Sequence, residues 1–172
     1  MTSGYPHRPP VATRVLDGLW VGNQRSAASE RFIADNRIGA ILNCTANVPN
    51  HFAANPSIQY LRIPVHDTAA KRDIGKFLRY LPAACEFIYR VRVVEGLPLL
   101  IHCHAGKQRS AAVVVAFLIK FYNYTPHDAV NFLLRKKPDV FHNGRNVNFA
   151  LALNQWYRAN TSTVPTGLRP SR

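Results

Sequence analysis

Carboxylates are scarce in this sequence. Six aspartates and three glutamates stand against 22 lysines and arginines, for a formal net charge of +13 over 172 residues. Such an excess points to an anionic partner, and nucleic acid is the usual first expectation. Cysteine is scarce too. Three cysteines without tight pair spacing build neither a disulfide framework nor a zinc site, so a reducing compartment, cytoplasmic or nuclear, is expected. Long apolar runs are missing. The longest, Ala111–Ile119, is half of the ~18 residues that a bilayer span needs, so no integral membrane segment is expected. Met1–Pro10 holds three prolines and no apolar core, and does not read as a secretory signal.

Apolar residues are not lacking. At 47 % hydrophobic content the chain can bury a core, and its length suits one domain. Residues 1–13 and 160–172 read as flexible ends; residues 14–159 read as the domain. Of the basic residues only Arg8, Arg169 and Arg172 lie outside it, so the charge belongs to the domain and not to a basic arm.

Val15–Val21 reads as a strand pair turning at Asp17-Gly18. Ser26 is expected to cap a helix reaching Asp35. Ile38–Cys44, Gln59–Val65 and Pro98–His102 read as buried strands. Asp73 is expected to cap a long helix that Pro82 kinks or splits. Arg109–Tyr122 reads as a buried helix, Thr125-Pro126 opens another to about Lys137, and Asn146–Tyr157 forms the last, with Phe149, Leu151, Leu153 and Trp156 partly inward. Early strands, late helices and the crossovers between them predict an α/β fold: a central, mostly parallel twisted sheet with helices on both faces.

The chemistry concentrates in Leu99-Leu-Ile-His-Cys-His-Ala-Gly-Lys-Gln-Arg-Ser. An apolar strand ends at His102, a polar loop follows, and an apolar helix begins at Arg109-Ser110. A tight loop feeding a helix N-terminus aims backbone N–H groups at one point, where the helix dipole adds positive potential. Such an environment favours the thiolate of a cysteine at its base, here Cys103. Arg109 returns to the rim with a planar fork suited to two phosphate oxygens. Thiolate, N–H nest and guanidinium together describe phosphate-ester cleavage through a cysteinyl-phosphate. An acid must protonate the leaving group. Among the six aspartates, Asp67 alone lies just past a strand in an open loop, where catalytic groups concentrate; Asp73 is the reserve candidate.

His102-Cys103-x5-Arg109-Ser110 matches the Cys-x5-Arg signature of the protein tyrosine phosphatase superfamily, and the surrounding chain resembles its small dual-specificity phosphatases. The resemblance extends through Ile41-Leu-Asn-Cys-Thr, Val48-Pro-Asn-His-Phe, Tyr60-Leu-Arg-Ile-Pro-Val-His-Asp67 and Asn146-Val-Asn-Phe149, covering about residues 13–158. It implies a phosphatase of phosphotyrosine and phosphoserine/phosphothreonine in proteins, with no metal or cofactor. It implies Cys103 as nucleophile and the N–H groups of His104, Ala105, Gly106, Lys107, Gln108 and Arg109 as phosphate cradle. Arg109 also grips phosphate, Ser110 assists the departure of Cys103, His102 supports the loop and Asp67 is the acid. Cys44 is implied beside the loop, a candidate redox partner for Cys103.

The loop departs from the commonest pattern. Gln108 replaces a serine, and Lys107 resembles a lysine of phosphoinositide-directed relatives. Gln108-Arg109-Ser110-Ala111 differs from the loop ending of RNA 5′-phosphatases, which speaks against that activity, while the net charge of +13 speaks for it. A phosphatase of RNA 5′ ends or phosphoinositides is therefore the enzymatic alternative, with nucleic acid less favoured than phosphoprotein. A phosphoprotein-binding module without turnover is the alternative from another class. Oligomeric state is open at this level.

Overall fold

The computed structural model describes residues 12–161, so most of both end segments lies outside the described residues. Five strands form one sheet: β1 (Ala12–Leu16), β2 (Leu19–Gly22), β3 (Ala40–Asn43), β4 (Gln59–Arg62) and β5 (Leu99–His102), in the order β1-β2-β5-β3-β4. The first two are an antiparallel hairpin, with Gly18 at φ +58° in its turn. All other pairings are parallel. The central strands β3 and β5 are buried at every position, which explains their near-continuous apolar sequence.

The described residues also form six α-helices: α1 (Gln24–Ala28), α2 (Glu30–Asp35), α3 (Lys71–Tyr89), α4 (Arg109–Tyr122), α5 (Pro126–Lys136) and α6 (Ala150–Thr161). One sheet face packs Val21, Leu42 and Ile101 into the main core with α3 to α6. The other packs Ile41 and Leu100 against Ala27 and Ile33 of α1 and α2. The predicted α/β sheet covered on both faces is the observed architecture. At the centre of the main core is α4, buried from Arg109 to Ile119. A helix apolar on all sides needs neighbours on all sides, and α6 supplies one, with Trp156 Nε1 donating to the Ala116 carbonyl at 3.0 Å.

Four local expectations are corrected. Ser26 lies inside α1; Asn23 caps α1 and Ser29 caps α2, each accepting from backbone N–H groups. Pro82 does not split α3, which runs through it and ends in a π-helical turn, Arg90–Val94. Asp73 is not the cap of α3, because the helix begins at Lys71 and Asp73 lies in its first turn. The last helix starts at Ala150, four residues later than expected, and Leu151 is 53 % exposed. Residues 146–149 instead form a loop whose polar groups face the site.

Register sets where that site lies. Gly22, Asn43 and His102 are in line across β2, β3 and β5, so the segments that follow all leave the sheet at one edge. In parallel sheets this carboxyl edge is where ligands bind.

Candidate active site

The loop from Cys103 to Gln108 joins the end of β5 to the start of α4. Cys103 is buried at its floor. Its Sγ lies 3.2 Å from Gly106 N, which donates to it, and 3.3 Å from Ser110 Oγ. Gly106 has φ +72°, and a Cβ there would come within 2.7 Å of the Gly22 carbonyl oxygen. The loop closes this tightly because the position is glycine. Neighbours hold it from two sides. Gln24 N donates to the His104 carbonyl at 3.2 Å, and Phe141 N donates to the Lys107 carbonyl at 2.9 Å. His104, Ala105 and Lys107 are exposed on the rim.

Arg109 opens α4 and folds its guanidinium over the loop, with a side chain only 11 % exposed. Nη1 donates to the Val65 carbonyl at 3.0 Å. Nε is 4.0 Å from Asp67 Oδ2 and has no hydrogen-bond partner among the described residues. Asp67 follows β4, as its place in the sequence suggests, and its side chain is 31 % exposed. Thus one buried arginine holds the backbone of the segment that follows β4 and neighbours the carboxylate carried by that segment. Asp73 is instead turned away from solvent, accepting a hydrogen bond from the Thr68 hydroxyl.

Gln108 has a role that sequence reading missed. Its buried side chain donates from Nε2 to the Asn146 carbonyl at 2.8 Å and accepts from Asn148 N at 3.2 Å. Asn148 Nδ2 in turn donates to Asp67 Oδ1 at 2.9 Å. A residue of the loop therefore fixes the 146–148 segment, and that segment holds the carboxylate. The signal for it in the sequence is the polar Asn-Val-Asn run ahead of an apolar helix.

His102 is fully buried behind the loop. Burial pushes its imidazole down to about 4; the Cys103 backbone opposes this, and Arg62, His51 and Arg109 add to it. The ring is thus neutral at physiological pH. Cys44 follows β3, next to β5, and its N–H donates to the His102 carbonyl at 2.8 Å. This brings Cys44 alongside Cys103. Burial above all, then the charge of Cys103, pushes the Cys44 thiol well up. All three cysteines are free.

The chain is similar to known proteins in sequence and in fold. Residues 19–159 match the family model described as dual specificity phosphatase, catalytic domain. Human dual specificity protein phosphatase 9 is 33% identical over 147 residues, covering 82% of this chain and 36% of that protein. Human dual specificity protein phosphatase 16 is 31% identical over 144 residues, covering 81% and 20% respectively. The chain therefore spans only 36% and 20% of the length of these two curated relatives. Among solved structures, a variant of human DUSP28 superposes with TM-score 0.78 at 27% identity, covering 90% of this chain and 99% of that one. The Yvh1 phosphatase domain from Chaetomium thermophilum gives 0.71 at 26%, covering 88% and 98%.

Proposed function

The chain belongs to the dual specificity phosphatase family, and from that premise we propose that it hydrolyses phosphotyrosine and phosphoserine/phosphothreonine in proteins through a phosphocysteine on Cys103. The observation that carries this reading is the floor of the loop: Cys103 Sγ between the Gly106 N–H and the Ser110 hydroxyl, beneath a buried arginine with an unused Nε.

In the first step the Cys103 thiolate attacks phosphorus, the S–P bond forms and the P–O bond to the side chain breaks. Asp67, held by Asn148, gives its proton to the departing oxygen. The N–H groups of His104 to Arg109 and the Arg109 guanidinium hold the three remaining phosphoryl oxygens, where charge develops. In the second step water attacks phosphorus and Asp67 takes its proton. The S–P bond breaks, inorganic phosphate is released, and the Ser110 hydroxyl stabilises the returning thiolate. His102 supports the loop as a neutral, buried ring.

Among the described residues, no helix is long and apolar enough to cross a membrane. The chemistry requires Cys103 reduced, which suits a reducing compartment, cytoplasm or nucleus. Cys44 serves as the redox partner: peroxide oxidises the Cys103 thiolate to sulfenic acid, Cys44 attacks that sulfur, and water leaves as the disulfide forms.

The reading is tested with an aryl phosphate, a phosphotyrosine peptide and a phosphothreonine peptide. The wild-type chain turns over all three, and Cys103→Ser turns over none. Undiminished turnover by Cys103→Ser would overturn the mechanism, and a wild type inert on all three would favour a binding module.

A further inference from the structure

The outward face of α3 carries Lys71, Arg72, Lys76 and Arg79 in its N-terminal half. Lys71, Arg72 and Arg79 are exposed and Lys76 is half-buried. The opposite face buries Ile74, Phe77, Leu81, Ala84 and Ile88 in the main core. The nearby carboxylates are engaged elsewhere. Asp73 is buried against Thr68, Asp67 is held by Asn148 beside Arg109, and Glu86, farther along α3, pairs with Lys120.

Single exposed cations occur over the whole surface; the setting of these four is different. Arg135 and Lys136 sit in the last turn of α5, where cations offset the helix dipole. Lys71 and Arg72 sit in the first turn of α3, where the dipole repels them. Arg72 and Lys76 are four residues apart and Lys76 and Arg79 three apart, so like charges are neighbours on the helix surface. Gly75 stands among them, four residues from Lys71 and Arg79 and three from Arg72. A Cβ at Gly75 would meet nothing within 4 Å, so packing does not call for glycine, and glycine weakens a helix interior. Three local rules are broken on one face without a return in packing, which is the pattern of a binding surface.

The composition of the face selects its partner. A protein interface is built around an apolar core, but the exposed large apolar side chains among the described residues, Val93, Val94 and Leu151, all lie outside α3. Bases of a single strand stack on aromatic rings, and Phe77, Tyr80, Phe87 and Tyr89 are buried or half-buried. RNA is distinguished by its 2′-hydroxyl, and α3 contains no Ser, Thr, Asn or Gln to bond it. A lipid surface is flat and gains nothing from a gap at one helix position. Cations around a bare glycine suit a ridge of phosphates, which such contacts hold without reading sequence. We propose that this face of α3 docks the phosphate backbone of double-stranded DNA. α3 begins four residues after Asp67, so the duplex and Cys103 share one end of the molecule. The docking does not depend on the reaction at Cys103.

The full chain is titrated against a fluorescent DNA duplex of about 24 base pairs, read by anisotropy from about 50 to 200 mM salt. The logarithm of Kd is expected to rise with the logarithm of salt with a slope of about 3–4, close to one per neutralised phosphate. Lys76→Gln combined with Arg79→Gln is expected to weaken binding about tenfold at low salt and to lower the slope by about two. Gly75→Glu, whose side chain enters open space, is expected to weaken binding at least as much while the fold melts no earlier. Arg135→Gln combined with Lys136→Gln removes the same charge from α5 and is expected to have a much smaller effect. The rate on an aryl phosphate is expected to stay at the wild-type value in all of these variants.

Equal losses from the α3 and α5 changes would overturn the site, because net charge alone would then account for binding. Undiminished binding by Gly75→Glu and by the α3 double variant would also overturn it, as would a wild type that binds no duplex at low salt. Duplex RNA or single-stranded DNA bound as tightly as duplex DNA would overturn the choice of partner. So would α3-dependent binding of phosphatidylserine vesicles or poly-glutamate in place of DNA. A fall of the aryl phosphate rate in the α3 variants would overturn the separation of this face from the catalytic loop.

Discussion

Asn148 Nδ2 donates to Asp67 Oδ1 at 2.9 Å across 81 positions of sequence. The same Asn148 is held through its backbone N–H by Gln108 of the phosphate loop. The acid and the loop that binds its substrate are thereby aligned by one short relay. Because Asn148 holds the carboxylate, its loss bears on proton transfer. Asn148→Ala is expected to lower kcat about tenfold for alkyl phosphates with poor leaving groups, a fraction of the roughly 10²–10⁴ that a whole acid contributes. Aryl phosphates with good leaving groups should change little. Gln108→Ala should show the same split more weakly. Equal losses for both leaving groups would contradict the relay.

Asp67 and Asp73 lie six residues apart in very different settings. Asp67 is partly exposed near Arg109 Nε, while Asp73 is buried against Thr68. Asp67→Asn should slow turnover by roughly 10²–10⁴, most with poor leaving groups. Asp73→Asn should keep a normal leaving-group dependence and cost stability instead, about 1–3 kcal/mol for disturbing a buried hydrogen bond. Rates across a series of leaving groups and denaturant melts check both, and reversed results would move the acid to Asp73.

Two glycines respond oppositely to alanine. At Gly106 the new Cβ meets the Gly22 carbonyl at 2.7 Å and the backbone is left-handed. Gly106→Ala should destabilise the fold by about 1–3 kcal/mol and abolish turnover, since Gly106 N also donates to Cys103 Sγ. At Gly75, in α3, a Cβ meets nothing within 4 Å. There Gly75→Ala should stabilise by roughly 0.5–1 kcal/mol with activity intact. Urea unfolding and aryl phosphate rates of both variants check this.

His102 should make the fold acid-sensitive. Its imidazole falls from 6.5 to about 4 on folding, so below the unfolded value the unfolded chain binds the extra proton. The stabilisation is complete above pH 6.5, declines as pH falls, and is gone below about 4. A depression of this size corresponds to about 3 kcal/mol. His102→Gln should remove this component, flattening unfolding free energy between pH 6.5 and 4. An unchanged slope in the variant would assign the pH dependence to other groups.

The central elements were legible because their neighbours are uniform. The bounds expected for Arg109–Tyr122 are the observed ones, since a helix buried on all sides needs only apolar character. Thr125, the expected cap of α5, does accept from Asp128 N, a contact local to one turn. Legibility failed where a polar side chain could serve two structures. Ser26 looked like a cap, but Asn23 and Ser29 reached the free N–H groups. Asn146-Val-Asn looked like the first turn of a helix. Its groups went to Gln108 and Asp67 instead, partners that no local pattern announces.

The scarcity of carboxylates and the spacing from Cys103 to Arg109 were therefore determined by the sequence alone. Such spacing works within one strand–loop–helix unit, whose geometry follows from local backbone preferences and apolar burial. Tertiary structure decided what holds Asp67 and how Gln108 is used. Those relations join segments brought to one sheet edge by parallel register, and hydrogen bonds across such distances exist only once the chain has packed.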